Sequence, residues 1–273
     1  MAAPRLPLII ETKQLHAHLR DDKLLVVDLG KFAAYNEAHV PGAVHLPYSC
    51  IVRAEQPAMG LLPTPEQLSR VFGQLGLTPD THVVAYDHEA GGRASRLLWT
   101  LDIIGHRHRS LLNGGIHAWV NDGHHAEAGI NEPHTREYNA EIVHPELIAD
   151  KRYLLEHLHD PEVVLLDTRS ANEFSGEDKR AERGGHIPGA VNLETLLTMD
   201  GGNHLRLLPD DKLKDMLGRL GVTPDKEIIV YCQTHHRSAH TYVLLKHLGY
   251  PRVRGYDGSW SEWGNDLSLP IEN

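Results

Sequence analysis

The stretch HVPGAVHL at residues 39–46 recurs as HIPGAVNL at residues 186–193, 147 positions further along the chain. Self-similarity of this length at a long, fixed distance indicates a duplicated structural unit. Three further matches follow in the same order at offsets of 144 or 145: LGLTPD 75–80 with LGVTPD 220–225, VVAYD 83–87 with IIVYC 228–232, and Ile116 and Trp119 with Trp260 and Trp263. The ordered matches predict that the chain is two copies of one domain.

The duplication divides the 273 residues into domains. We predict an N-terminal domain at 1–123, a linker at 124–141 and a C-terminal domain at 142–273, because the linker mixes Gly, Asn, Pro, His and Glu without apolar periodicity. The second copy carries extra residues before its repeated motif, and this segment, 176–183, is almost entirely charged. Its composition predicts a solvated surface loop.

Each copy alternates short apolar runs with helical patterns. The runs Leu24–Asp28 and Val163–Asp167 are apolar without alternation, which is typical of buried parallel strands. Thr64 followed by Pro65 predicts the start of a helix. We therefore predict an α/β fold in which each copy has a mainly parallel central sheet flanked by helices, with ligands at the carboxyl ends of the strands. The repeated motif, with Pro and Gly at fixed places, is assigned to a turn.

Composition narrows the classes of function. The chain has 27 Lys and Arg against 37 Asp and Glu, a net charge of −10, and it lacks the basic run that binding to nucleic acid requires. Its purely apolar stretches are far too short to cross a bilayer, and the apolar patch at residues 6–10 is too short for a secretory signal. We expect a cytoplasmic monomer that binds neither nucleic acid nor membranes and needs no disulfide.

Of the two cysteines, Cys232 stands in the more informative context. It follows the apolar run 227–231 and precedes the polar run QTHHRS at 233–238, after which a helical pattern begins. Main-chain N–H groups of such a loop and the positive end of the helix would stabilise an anionic sulfur and lower the pKa of the thiol. An isolated cysteine more often fills a core, but the polar run favours a reactive thiolate. Cys50 has no such loop and is assigned to structure.

The length of the loop bears on the reaction. Four residues separate Cys232 from Arg237. A cysteine loop that transfers phosphoryl groups typically has about five, so that main-chain donors can surround the phosphoryl oxygens. The shorter ring suits one additional sulfur atom and favours a persulfide on Cys232. A cysteine phosphatase stays the alternative enzyme class, and a non-enzymatic carrier that hands sulfur to a partner protein is also open.

Three features together resemble the bacterial tandem-domain rhodaneses, which are thiosulfate:cyanide sulfurtransferases: the duplicated motif, the CQTHHRS loop at 232–238 and the closing GSWSEW at 258–263. The resemblance covers nearly the whole chain and implies two tandem rhodanese-like domains. It implies ping-pong transfer, in which Cys232 takes the outer sulfur of thiosulfate, sulfite leaves, and cyanide or another thiophile accepts the sulfur. No cofactor is implied. The substrate-binding loop that the family implies consists of Gln233, Thr234, His235, His236 and Arg237.

The chain departs from two groups within this family. Mammalian rhodaneses have Arg and Lys just after the cysteine and another Arg near the position of Glu173, where this chain has Gln233, Thr234 and an acid. Positive charge is therefore scarcer here. Mercaptopyruvate sulfurtransferases typically carry a Cys-Gly-Ser/Thr-Gly loop, which is absent here, so mercaptopyruvate is the less expected donor. For His235 and His236, a role as donors or substrate gates and simple solvation both stay open.

The first copy has Asp87 at the position of Cys232. A carboxylate cannot carry a persulfide, and its charge would repel an anionic donor, so we predict that the N-terminal domain is an inactive packing partner. Asp87, His88 and Glu89 could alternatively bind a metal, but three clustered polar residues in a loop are usually solvated, and no metal is expected. The 21 histidines also lack a recurring ligand spacing.

Overall fold

The computed structural model describes residues 6–273, which form two compact units. Unit 1 comprises residues 6–51, 63–144 and 200–207, and unit 2 comprises Val52–Leu62, Pro145–Met199 and Leu208–Asn273. Each unit thus contains one copy of the repeat together with a short segment from the other copy. Residues 124–141, predicted as a linker, lie within unit 1.

The elements of both units are numbered along the chain. The strands are β1 (Ile9–Ile10), β2 (Leu24–Asp28), β3 (Val44–His45), β4 (Arg53–Glu55), β5 (Ala58–Leu61), β6 (His82–Tyr86), β7 (Arg109–Leu112), β8 (Ile148–Ala149), β9 (Val163–Asp167), β10 (Val191–Asn192), β11 (Met199–Asp200), β12 (Arg206–Leu207), β13 (Glu227–Tyr231) and β14 (Val253–Tyr256). The helices are α1 (Thr12–His18), α2 (Phe32–Glu37), α3 (Pro65–Gln74), α4 (Gly92–Ile103), α5 (Gly115–Asn121), α6 (Lys151–His157), α7 (Ala171–Ser175), α8 (Asp210–Arg219), α9 (Arg237–His247) and α10 (Ser259–Trp263). None of the helices within residues 6–273 has the length and apolar character of a membrane span.

The two units have the same sheet topology. In the described part of unit 1, five strands pair in the order β1–β7–β6–β2–β3, and every neighbouring pair is parallel. In unit 2, the corresponding order is β8–β14–β13–β9–β10, again entirely parallel. The predicted α/β fold, with a parallel central sheet in each copy, is confirmed.

Local sequence explains the main elements. The last three residues of β2 and of β9 are buried, and β6 is buried along its whole length, as expected of central parallel strands. At the start of α3, the Thr64 hydroxyl accepts a hydrogen bond from the Gln67 N–H, and the Gln67 side chain accepts one from the Thr64 N–H. This capping box confirms the predicted helix start.

The repeated HxPGA motif closes each unit by a short antiparallel bridge. His39 exchanges main-chain hydrogen bonds with Glu127, and the Glu127 carboxylate accepts the Gly42 N–H at 2.8 Å. Gly42 has φ of 76°, a value that favours glycine. The second copy repeats the arrangement with His186, Glu272 and Gly189. The assignment of the motif to structure is confirmed, and Glu127, from the stretch predicted as a linker, completes the first copy of it.

Candidate active site

Cys232 lies at the carboxyl end of β13, the middle strand of the unit 2 sheet. Residues 233–236 form a loop, and α9 begins at Arg237. This is the predicted strand–loop–helix junction, which arises because the apolar run of β13 stops where the polar run begins. The Cys232 side chain is fully buried there.

Hydrogen-bond donors surround the Cys232 sulfur. The main-chain N–H groups of Thr234 and Ser238 and the Ser238 hydroxyl donate to it, and the positive charge of Arg237 acts on it. Burial raises the pKa of the thiol, but the Arg237 charge and these hydrogen bonds outweigh burial and hold the pKa of Cys232 below its ordinary value of 9.0. The loop therefore stabilises a thiolate, in agreement with the sequence analysis.

Residues 259–261, at the start of α10, hold the main chain of the Cys232 loop. The Cys232 N–H donates to the Ser259 hydroxyl at 3.4 Å, and the Trp260 N–H donates to the Cys232 carbonyl at 3.0 Å. The Ser261 N–H donates to the Gln233 carbonyl, also at 3.0 Å. Ser259 has φ of 51°, a left-handed conformation that is uncommon outside glycine and that the surrounding contacts must maintain.

The two loop histidines occupy different environments. His235 is fully buried with φ of 56°, and its Nδ1 lies 2.7 Å from the Ser238 hydroxyl oxygen. The solvated alternative is therefore wrong for His235, whose buried ring contacts the Ser238 hydroxyl. His236 is half-buried, with Nδ1 at 3.3 Å from the Thr234 hydroxyl oxygen.

Arg237 forms a two-bond ion pair with Glu173. Nη1 lies 2.6 Å from Oε2 and Nη2 lies 2.8 Å from Oε1, and the Glu173 side chain is almost fully buried. Burial raises the pKa of Glu173, but the pairing with Arg237, a hydrogen bond from Ser170 and the charge of Arg169 lower it to about 2. Because the ordinary value is 4.5, the pair stabilises the fold above that pH, and this contribution is lost as the pH falls toward 2.

The charged segment 176–183 is exposed at most of its side chains, as predicted, but it is anchored to the site. The Gln233 amide nitrogen donates to the Arg180 carbonyl at 3.0 Å. Arg183 donates to the carbonyls of Trp263, Asp266 and Leu269. The expectation of a solvated surface loop is therefore only partly correct, because the Arg180 carbonyl contacts the Cys232 loop and the Arg183 side chain is bound to carbonyls of residues 263–269.

Comparison with known proteins places this geometry in a family. The rhodanese-like domain matches residues 11–122 and 150–266, one match to each copy of the repeat. The chain belongs to the rhodanese family. It is 44% identical over 274 residues to a thiosulfate sulfurtransferase from Azotobacter vinelandii, an alignment that covers 98% of this chain and 97% of that one.

Other relatives and solved structures agree with the rhodanese fold. A thiosulfate sulfurtransferase from Pseudomonas aeruginosa is 42% identical over 98% of this chain and 97% of its own. The sulfur carrier protein TtuD from Thermus thermophilus is 30% identical over 97% of this chain and 96% of its own. The anaerobic ergothioneine biosynthesis enzyme from Chlorobium limicola, at 23% identity, superposes with a TM-score of 0.88 over 97% of this chain and 70% of its own.

The first rhodanese domain retains the loop, but the Asp87 carboxylate occupies the place that the Cys232 sulfur takes in the second domain. Asp87 is buried between β6 and α4, at the position equivalent to Cys232. Each of its carboxylate oxygens accepts two main-chain hydrogen bonds of 2.9 to 3.1 Å. The donors are the N–H groups of Glu89, Gly91, Arg93 and Ala94. Glu89 and Arg93 correspond in the repeat to Thr234 and Ser238, so equivalent N–H groups bind the carboxylate in one rhodanese domain and the sulfur in the other.

The residues considered as alternative metal ligands in the first rhodanese domain point to different partners. The Asp87 oxygens are occupied by N–H groups, whereas His88 Nε2 contacts the buried Asp28 carboxylate at 2.7 Å. In the described portion of the chain, no group of three or more His, Cys, Asp or Glu is placed to hold a metal ion.

We expect Asp87→Asn to destabilise the first rhodanese domain without affecting sulfur loading of Cys232. The amide nitrogen would face N–H donors, leaving buried donors unsatisfied at a cost of about 3 kcal/mol in the free energy of unfolding. Urea unfolding followed by circular dichroism measures the loss, and the exposed Glu89→Gln is the control. An Asp87→Asn protein as stable as the wild type would show that the four hydrogen bonds contribute little.

Sequence reasoning missed two residues of the rhodanese site. Ser238 lies in the polar run at 233–238 but receives no role from the sequence, although a hydroxyl in the first turn of the following helix is a signal for such a role. Glu173 was noticed only as a departure from relatives. The capping box that it forms with Ser170 was a local signal for its helix, but nothing local indicates that it pairs with Arg237, which lies 64 positions away.

Proposed function

We propose that this rhodanese is a thiosulfate sulfurtransferase that works through a persulfide on Cys232. The observation that carries the proposal is the ring of donors from Thr234 and Ser238 around a cysteine whose pKa is lowered in spite of full burial. A neutral cysteine that only fills a core does not require several hydrogen-bond donors around its sulfur. The similarity to curated thiosulfate sulfurtransferases over nearly the whole chain supports the same activity.

The proposed reaction needs no external oxidant or reductant. In the first half, the Cys232 thiolate attacks the outer sulfur of thiosulfate, a new S–S bond forms, and the S–S bond within thiosulfate breaks as sulfite leaves with the electron pair. In the second half, the carbon of cyanide attacks the terminal sulfur, and the electron pair of the broken S–S bond returns to Cys232. Thiocyanate leaves and the thiolate is restored.

The proposed roles of the loop residues follow from their positions. The Thr234 and Ser238 N–H groups hold the negative sulfur, and they are suited to hold the added sulfur as the charge moves outward. His235 orients the Ser238 hydroxyl. Arg237 supplies positive charge, reduced by its pairing with Glu173. Gln233 and His236, both half-buried at the loop, are proposed to contact the donor.

Intact mass spectrometry tests the proposal. Purified protein mixed with thiosulfate should gain the mass of one sulfur atom, and cyanide should remove it with release of thiocyanate. Failure of the wild-type protein to gain sulfur would reject a persulfide enzyme. Hydrolysis of an aryl phosphate without sulfur gain would instead favour the phosphatase alternative, to which the four-residue spacing is unfavourable.

A sulfur carrier is the second candidate, favoured by the 30% identity to TtuD. Its Cys232 would load equally well but would turn over slowly with small thiophiles and quickly with a protein acceptor. The ratio of the rate of sulfur transfer to cyanide and the rate of transfer to candidate acceptor proteins separates the two candidates.

We further propose that the working unit is a single chain in the cytoplasm. Size-exclusion chromatography coupled to light scattering tests the oligomeric state.

The lowered pKa of Cys232 predicts the pH dependence of its reactivity. Because only the thiolate reacts, the rate of alkylation by iodoacetamide should rise with pH to a plateau whose midpoint lies below 9.0, the ordinary pKa of cysteine. The same protein unfolded in urea should show the ordinary midpoint. A folded-state midpoint at or above the unfolded one would contradict a stabilised thiolate.

A further inference from the structure

A β-hairpin from the first copy of the repeat belongs to unit 2. This arm, residues Val52–Leu62, contains the antiparallel strands β4 and β5. Its side chains alternate in burial: Ala58, Gly60 and Leu62 are buried, whereas Met59 is exposed. One face of the arm is thus packed within the unit that holds Cys232, although the arm lies at least 170 residues before it in sequence.

The arm and the Cys232 loop are fastened to the same segment. The Met59 N–H donates to the Ser261 hydroxyl at 3.1 Å, and the Leu62 N–H donates to the Asp257 carboxylate at 2.8 Å. Residues 259–261 of the same segment hold the Cys232 and Gln233 main chain, as described above. Hydrogen bonds to this one segment therefore connect the arm to the Cys232 loop.

Gly60 also makes a direct contact with the loop. A Cβ atom at this position would lie 2.7 Å from the Asp257 carbonyl oxygen, 2.7 Å from the Thr234 carbonyl carbon, and closer still to the Thr234 carbonyl oxygen. All three atoms belong to main chain, so they cannot move aside as a flexible side chain would. Only glycine lets the arm approach this closely. Thr234 is one of the residues whose N–H groups bind the Cys232 sulfur.

We propose that Gly60 is a positioning residue for Cys232: through its contact with Thr234, the arm fixes the loop in the shape that directs its N–H groups at the sulfur. This positioning role rests on the proposed function only in that the reaction affected is the sulfur transfer proposed above. The left-handed His235, directly after Thr234, is consistent with a loop held in an uncommon conformation by its surroundings. The first copy of the repeat then contributes to catalysis through its arm, although its own loop lacks a cysteine.

Gly60→Ala tests this in the full-length protein carrying Cys50→Ser, so that Cys232 is the one thiol present. The added methyl group should displace Thr234, raise the midpoint pH of Cys232 alkylation, and slow sulfur loading from thiosulfate at neutral pH by about tenfold or more. The loss should fall on kcat more than on KM. Gly201→Ala is the matched control, since this hairpin glycine has no atom within 4 Å of its Cβ position, and it should change neither quantity.

A second variant keeps the inference testable if Gly60→Ala does not fold. Ser261→Ala removes the hydroxyl that accepts the Met59 N–H and should shift the alkylation midpoint in the same direction by a smaller amount. An unchanged midpoint and loading rate in a folded Gly60→Ala, or in Ser261→Ala if the first does not fold, would overturn the proposal. Alkylation does not depend on sulfur transfer, so a wild-type protein that fails to load sulfur would reject the function and leave this test intact.

Discussion

Replacing Cys232 with serine is expected to abolish sulfur loading from thiosulfate and to lower turnover by at least about 10³-fold. The serine side chain is nearly the same size as that of cysteine, and its oxygen can accept hydrogen bonds from the N–H groups of Thr234 and Ser238. The loop should therefore keep its shape. Its hydroxyl, however, does not ionise near neutral pH and is a weak nucleophile without an adjacent base. Intact mass after thiosulfate treatment and the rate of thiocyanate formation measure the two effects.

Cys50→Ser is the matched control, since Cys50 is the other of the two cysteines in the sequence. It is half-buried in the short turn Tyr48–Ile51, outside the loop that surrounds Cys232. We expect normal loading and turnover. If the Cys232→Ser protein gained sulfur from thiosulfate, or if the Cys50→Ser protein did not, the persulfide would form at a residue other than Cys232.

The fold could be predicted because its signals are local or are repeated along the chain. The runs Leu24–Asp28 and Val163–Asp167 became central strands, and Thr64 with Pro65 began a helix where capping chemistry requires it. The role of Glu127 could not be predicted. Its pairing with His39 joins residues far apart in sequence, and neither residue type specifies a partner.

The site was predictable only where it is contiguous. The Cys232 loop follows a strand and precedes a helix, so neighbouring residues alone indicate a stabilised thiolate. Glu173 and Gly60 contact the loop from distant positions in the sequence. The residue type of a buried acid or a glycine does not predict which residues it will contact. Composition likewise predicted that 176–183 is exposed but not that the Gln233 side chain binds its main chain.

Arg237→Met should separate the electrostatic role of Arg237 from its structural one. Loss of the positive charge should raise the pKa of Cys232 and slow sulfur loading at neutral pH by roughly 10- to 100-fold. It also leaves the buried Glu173 carboxylate without its partner, which should lower the free energy of unfolding by about 3 kcal/mol. Single-turnover loading and urea unfolding measure these effects. Arg219→Met, which breaks an exposed pair with Asp215, is the control and should change neither.

Glu173→Gln completes the cycle. Added to Arg237→Met, it removes the unpaired buried charge, so most of the stability should return while loading stays slow. Alone, it frees the Arg237 charge from its counter-ion, so the pKa of Cys232 should fall further and thiosulfate should load at lower pH than in the wild type. If the double variant regained the wild-type loading rate, Arg237 would act only by holding Glu173 in place.

A different outcome for the single variant would also change the interpretation. If Glu173→Gln raised the midpoint pH of Cys232 alkylation, the Glu173 carboxylate would be needed to orient Arg237 toward the sulfur. The negative charge of Glu173 would then not be what limits the lowering of the Cys232 pKa.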